Sequence, residues 1–169
     1  AWKQTDFQGL AAFFGQTRQV VTHVHDGDGA YRFEDRVTGA QIGIEPGVPF
    51  LPELVPLEGT RREKLAAWLT DPRNVHFSRA AVNRVWAMMT GRPLRAKVEA
   101  QTLDDPAPAA LDVLAADLAA HGHDLHRLIR LIAATEVFRL DSTSPDELTD
   151  EHEAAWAAFP LTRLRPEQV

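Results

Sequence analysis

Three histidines near residue 121 are the side chains best suited to metal chemistry. His121, His123 and His126 flank Asp124 in the run His-Gly-His-Asp-Leu-His. Imidazoles together with a carboxylate are ligands that zinc, copper or nickel accepts. Gly122, however, is expected to end one helix and Asp124 to cap the next, which separates the rings. The sequence leaves two interpretations open, a metal site and a set of exposed loop histidines.

A second polar cluster consists of His23, His25, Asp26 and Asp28. Alternate positions of a strand point to the same face, so His23 and His25 with Asp26 could hold a cation. A calcium loop of the EF-hand type would need a glutamate at the twelfth position counted from Asp26, where Val37 stands. The alternative is a hairpin turn in which Asp and Gly supply unusual backbone angles.

Polar residues also interrupt the second predicted helix of the C-terminal half. Arg79, Asn83 and Trp86 recur at helical spacing, and Arg84 lies beside them. We favour a structural polar network, in which Arg79 or Arg84 pairs with a carboxylate and Asn83 satisfies a loop backbone. A binding site is the alternative.

The pair Asp104-Asp105 has the composition of a general acid and base, although its place before Pro106 is more typical of helix caps. The chain contains no nucleophile elbow, no phosphate-binding glycine loop and no zinc-protease helix motif. The sequence therefore predicts no catalytic set.

Composition narrows the classes of function. The chain has 169 residues, of which 44% are hydrophobic and 25% are charged. These proportions are those of an ordinary globular domain. It has no cysteine, so these residues cannot form a disulfide, a thiolate metal site or a covalent haem attachment. The net charge of −6 disfavours nucleic acid as a partner. No stretch approaches the roughly 20 apolar residues that a membrane span needs.

The region before Thr60 contains both helical and strand patterns. Phe7, Leu10, Ala11 and Phe14 form the apolar stripe of a short helix over residues 6–14. Alternation between residues 19 and 44 predicts a small antiparallel meander. Four prolines between residues 45 and 59 predict an extended linker over the surface.

The remainder of the chain is predicted to be helical. Thr60 and Glu63 form a capping box, and Gly91 and Gly122 have the character of helix stops. Asp124 is the expected cap of a helix with a wide apolar face. The second helix, over residues 75–89, is expected to bury a stripe made of Phe77, Ala81, Val85 and Met88. A further capping box, Ser144-Pro145-Asp146-Glu147, opens a short acidic piece around Trp156.

The sequence thus predicts a mainly α fold, a bundle-like domain of about four to five helices with a small antiparallel β meander near the N-terminus. Residues 1–59 are interpreted as the tail of a preceding domain. Residues 60–169 are interpreted as a helical domain that is truncated at its C-terminus.

Several stretches carry a family resemblance. The resemblance covers residues 2–14 and 62–92, with further similarity at residues 124–130 and 163–168. Its most specific part is the run Val82-Asn83-Arg84-Val85-Trp86. These stretches resemble planctomycete-type multidomain proteins in which a cytochrome-c-like domain precedes two domains of unknown function, the PSCyt and PSD families. The chain departs from that pattern after Arg92, where its loop is shortened and lacks a histidine.

The resemblance implies an extracytoplasmic protein with no established activity. It also implies a Cys-x-x-Cys-His-like segment just before Ala1, so that haem is expected upstream and no cofactor is expected within these residues. The implied partners are neighbouring domains of the same chain, including the cytochrome-like module.

Three functions follow as hypotheses. The leading one is a non-catalytic structural or interaction domain that positions the upstream redox module. The first alternative is a metal-binding hydrolase or redox accessory that uses one of the histidine clusters. The second alternative is a polysaccharide-binding module that uses Trp2 or Trp156. The oligomeric state stays open.

Overall fold

The computed structural model describes residues 3–96, 106–143 and 148–160, and these ranges contain six α-helices and four short β-strands. The mainly α fold with a small antiparallel β part near the N-terminus is confirmed. Contacts divide the chain into two units, Ala1–Asn74 and Val75–Val169. The predicted sequence division between residues 59 and 60 stays a prediction. Within the described ranges, no helix has the length and apolar character that crossing a membrane requires.

The strands of the N-terminal unit form two separate antiparallel hairpins. Their bounds are β1 Thr17–Val20 with β2 His23–Asp26, and β3 Tyr31–Glu34 with β4 Gln41–Ile44. His23, His25 and Asp26 belong to β2. The turn of the first hairpin lies at Val21 and Thr22, because Val20 pairs with His23.

Helix α1, Gln4–Ala12, buries a different face from the predicted stripe. Phe7 and Phe14 are 66% and 53% exposed, whereas Phe13 is 2% exposed. The cause is a close backbone approach at Gly9, whose carbonyl accepts a hydrogen bond of 3.1 Å from the amide of Gly47. A Cβ atom on Gly9 would lie 2.8 Å from the Gly47 oxygen. Only glycine therefore allows this face to turn inward.

The proline-rich stretch is part of the N-terminal core, which corrects the prediction of a surface linker. Its short 3₁₀ helix, Pro52–Leu54, buries Leu54 against Phe13, Leu65 and Trp68. Helix α2, Arg61–Thr70, supplies Leu65 and Trp68 and begins at the predicted capping box. The prolines rule out helix and central strand, but they leave extended segments free to bury their apolar side chains.

The C-terminal unit is a set of packed helices. Its elements are α3 Val75–Thr90, α4 Ala109–Ala120, α5 Leu125–Ala133, a 3₁₀ helix Val137–Arg139 and α6 Asp150–Ala154. The buried core residues are Val82, Trp86, Leu111, Ala115, Leu118, Leu128 and Ile132. The predicted caps are confirmed, since Asp124 accepts the Arg127 amide at 3.1 Å and both Gly91 and Gly122 have positive φ.

The buried face of α3 lies one position away from the predicted stripe. Met88 is 64% exposed, while Val82, Asn83 and Trp86 are buried. A one-residue rotation of the face places Asn83 and Trp86 in the interior. This correction is the basis of the candidate site, because it brings a polar side chain inside the unit.

Candidate functional site

Asn83 fastens the loop that follows α3. Its Nδ2 donates to the carbonyl oxygen of Arg95 at 3.0 Å, and its Oδ1 accepts from the amide of Arg95 at 2.9 Å. The side chain is fully buried. A primary amide offers both a donor and an acceptor, so it can replace the partners that a neighbouring strand would give this backbone. Both bonds join Asn83 to the backbone of a single residue of the loop.

Thr90 holds the beginning of the same loop. Its buried hydroxyl lies 2.9 Å from the carbonyl oxygens of both Trp86 and Arg92. Gly91 follows with a φ of 78°. In this left-handed conformation glycine carries no Cβ penalty. The loop from Gly91 to Ala96 is therefore tied to α3 near both ends.

Two tryptophans meet beside this loop. The rings of Trp86 and Trp156 are 5.5 Å apart at an interplanar angle of 86°. Aromatic pairs favour such an edge-to-face arrangement. Trp86 is 3% exposed, and its Nε1 is buried with no hydrogen-bond partner among the residues that the structure describes. A buried N–H group of this kind is uncommon in folded proteins.

Trp156 follows the end of α6 in a strained conformation. Its φ is 55°. Its amide donates to the backbone carbonyl of Glu153 at 3.1 Å, and the amide of Ala157 donates to the backbone carbonyl of His152 at 2.9 Å. These two bonds form a Schellman motif, whose left-handed position glycine usually occupies. A bulky residue there costs on the order of 1–3 kcal/mol.

A pocket of about 350 Å³ lies between the loop and α6. Its lining consists of Arg92, Pro93, Leu94, Ala96, Ala154 and Trp156. One guanidinium and one indole therefore line the same open pocket. Arg92 has a loose ion pair with Glu153, whose Oε2 is 3.7 Å from Nη1. Among the residues that the structure describes, Arg92 therefore has no close carboxylate partner, because a charge-assisted hydrogen bond is much shorter.

Of the two arginines in the predicted network, Arg79 joins two helices. Arg79 Nε donates to Asp112 Oδ1 of α4 at 2.6 Å. Arg84 is exposed on α3. A second link of this kind runs from Arg127 to Asp117, with two bonds of 2.8 Å. The Arg127 guanidinium lowers the pKa of Asp117 below its ordinary value, so this carboxylate stays ionised.

The three histidines near residue 121 have different partners. His121 Nδ1 lies 3.3 Å from Asp117 Oδ1, while His123 Nε2 lies 3.2 Å from the Ser78 hydroxyl and its ring is 5.6 Å from that of Phe77. His126 is largely exposed, with its Nδ1 4.0 Å from Asp124. The helix stop and the helix cap between them direct the rings to separate neighbours.

The N-terminal cluster also divides. The rings of His23 and His25 are 5.7 Å apart on β2, but Asp26 Oδ1 accepts a 2.7 Å bond from Arg62 Nε. The carboxylate is thus held by an arginine of α2. Across residues 3–96, 106–143 and 148–160, no group of three or more His, Cys, Asp or Glu side chains is arranged to hold a metal ion. Both metal interpretations stay predictions.

Comparison with known proteins gives one family. The family model described as "PSD1: Protein of unknown function (DUF1553)" matches residues 61–169, which is more than half of the chain. The chain belongs to the PSD1 family. Neither the curated proteins nor the solved structures contain a match. Because the description of PSD1 assigns no activity, the role of this PSD1 chain must be argued from its site.

The sequence of this PSD1 chain singled out Asn83 and Trp86 but did not indicate the pocket near them. Thr90, Arg92 and Trp156 join them only after the fold brings α6 to the loop. The signal that was present in the sequence is the run Thr-Gly-Arg-Pro after a predicted helix end. Several singled-out residues lie outside the described ranges, namely Trp2, Asp104, Asp105 and the run 144–147.

Proposed function

We propose that the chain is a non-catalytic structural and interaction domain of a larger exported protein, in which it positions a cytochrome-c-like module. The observation that carries the proposal is the Asn83 clamp on Arg95. This buried polar side chain is used to fix a loop. The Arg79 bond to Asp112 is used in the same way, to hold one helix against another.

The surface of α5 supports an interaction role. Leu125 and Ile129 are 50% and 44% exposed. They lie one turn apart, on the same face of the helix. Leu128 and Ile132 of the same helix are buried in the core. The apolar face of α5 is therefore wide, and half of it is exposed to solvent. Such a face is typical of a helix that packs against neighbours on two sides. We assign the open half to the preceding module of the same protein.

Titration calorimetry between this chain and the separately produced upstream module tests the assignment. We expect binding that weakens at least about tenfold in the double variant Leu125→Glu, Ile129→Glu, because two charges would enter an apolar contact. Val113→Glu, on an exposed position of α4, is the matched control and should bind as the parent chain does. Unchanged binding by the double variant, or turnover of ester, phosphate or glycoside substrates by the chain, would contradict the proposal.

The exported, haem-associated context has its own test. The open reading frame around this segment should encode a signal peptide and a Cys-x-x-Cys-His segment before Ala1. The absence of both would remove the cytochrome part of the proposal. Elemental analysis of tag-free protein after desalting tests the metal alternative, which requires a stoichiometric transition metal.

A further inference from the structure

We propose that the pocket between α6 and the loop that follows α3 binds a small organic carboxylate that carries a flat apolar ring. The ring would lie against Trp156 and the carboxylate against Arg92. This inference is independent of the positioning role, because it concerns a different surface from the exposed half of α5.

The chemistry of the lining points to this ligand. Among the described lining residues, five of the six carry apolar side chains and Arg92 alone is charged. The volume of about 350 Å³ suits a small molecule. Small-molecule sites combine apolar walls with few polar groups in this way. Indole faces favour flat ring partners, and the guanidinium fork matches the two oxygens of a carboxylate. A neutral or cationic ligand would leave this fork without a matching group.

Arg92 is available for such a ligand. Its contact with Glu153 is 3.7 Å, and its side chain is 37% exposed. That separation is too long for a hydrogen bond. The loop that carries Arg92 is fixed by Thr90 and Asn83, so its backbone is in place before a ligand arrives. Pre-organisation of this kind lowers the cost of binding.

Two unfavourable features converge on the aromatic wall. Trp156 occupies a left-handed backbone position that suits glycine. Trp86, in contact with it, has a buried N–H with no partner in the described part of the chain. Strained backbone and unsatisfied polar groups concentrate at functional sites. A glycine at position 156 would serve the helix end better, so the indole itself is what this position provides.

Nitrogen-labelled chain offers a direct readout through its indole N–H signals. Phenylacetate is the probe, phenylacetamide is its neutral counterpart, and glucuronate carries the carboxylate on a sugar ring. We expect phenylacetate to shift the Trp86 and Trp156 signals in a saturable way while the Trp68 signal stays in place. Phenylacetamide should bind at least about tenfold more weakly, because it loses a charge-assisted bond.

Substitutions separate the ligand contacts from the fold. Arg92→Gln should weaken phenylacetate binding about tenfold or more, and Arg92→Lys should recover only part of it, since an ammonium lacks the planar fork. Glu153→Gln should tighten binding a few-fold, because it removes the carboxylate that competes for Arg92. Arg130→Gln, at an exposed arginine of α5 outside the described pocket lining, is the matched control and should leave binding unchanged.

The variant Trp156→Gly tests whether the indole ring itself is needed for binding. It relieves the backbone position and removes the ring wall, so the chain should keep its Trp68 signal and lose phenylacetate binding. The proposal is overturned if phenylacetate causes no saturable shift, or if the amide binds equally well. Tighter binding of glucuronate than of phenylacetate would also overturn it and would favour a saccharide ligand.

Discussion

Among the residues that the structure describes, Trp68 of the N-terminal unit and Trp86 of the C-terminal unit are buried to the same extent, but the two indoles have different partners. Trp68 and Trp86 are both 3% exposed. Trp68 Nε1 donates to the carbonyl oxygen of Phe50 at 3.1 Å, and its ring packs 5.0 Å from that of Phe50. Trp86 Nε1 donates to no described residue, and its ring meets Trp156 at the pocket. In the N-terminal unit the indole secures the proline-rich segment, whereas in the C-terminal unit it supports a site.

The difference shows which groups hold each unit together. In the N-terminal unit a tryptophan N–H bonds to a carbonyl of the proline-rich segment. In the C-terminal unit, Asn83 and Thr90 hold the loop after α3 through hydrogen bonds to its backbone. Trp86 is therefore not needed to hold that loop, and its neighbourhood can serve a ligand.

The largest expected effect separates the two indoles directly. Trp68→Phe and Trp86→Phe remove similar ring volumes, but the first also removes the hydrogen bond to Phe50. We expect Trp68→Phe to lower the free energy of unfolding by about 1–3 kcal/mol more than Trp86→Phe does, since the Phe50 carbonyl loses its indole donor. Urea titrations of the two variants and of the parent chain measure these changes in the free energy of unfolding. Equal losses would mean that the Trp68 bond adds nothing and that the comparison is wrong.

A smaller effect tests how the loop beside Trp86 is held. Thr90→Ala removes a buried hydroxyl that joins α3 to the loop, whereas Thr70→Ala removes an exposed hydroxyl bonded to Ala66 within its own helix. We expect a loss of about 1 kcal/mol for Thr90→Ala and little change for Thr70→Ala. Thermal unfolding gives the stabilities, and limited proteolysis reports cleavage in the loop. A larger loss at Thr70 would contradict the assigned role of Thr90.

The sequence predicts well those features that depend on a few neighbouring residues. The Thr60–Glu63 capping box, the Asp124 cap and the stop at Gly122 all depend on contacts within one helical turn, and all three are found as expected. The sequence left open whether Arg79 or Arg84 pairs with a carboxylate, and it could not name Asp112, which bonds to Arg79. Arginine in a helix interior requires such a partner, whatever its identity.

The features that the sequence predicts wrongly depend on what packs against an element rather than on neighbouring residues. On α1 the carbonyl-to-amide approach between Gly9 and Gly47 selects the buried face. On α3 the packing of α4 and the loop turns Asn83 inward and leaves Met88 exposed. Trp156 joins the pocket through a left-handed residue that no propensity would assign to tryptophan. A periodic pattern gives the width of an apolar face but not its final rotation.

The smallest expected effect is on the stability at acid pH, and it again differs between the two units. In the N-terminal unit, hydrogen bonds from the Arg73 side chain and amide lower the pKa of Asp71 from 3.8 to about 2. In the C-terminal unit, the Arg127 side chain lowers the pKa of Asp117. A carboxyl whose folded pKa is depressed adds stability above its unfolded pKa, and that stability disappears as the pH falls through the folded value.

For Asp71 this loss should occur between pH 3.8 and about pH 2. Asp71→Asn should therefore flatten the acid response of the Trp68 signal in this window and leave that of Trp86 unchanged. Asp117→Asn should do the reverse. Arg73 is largely exposed, so added salt should reduce the Asp71 contribution. Urea midpoints at pH 5, 3 and 2, followed through both indole signals, measure the two responses. If Asp71→Asn altered both signals equally, the two units would share a single acid transition, and the separation between the Trp68 and Trp86 regions would fail.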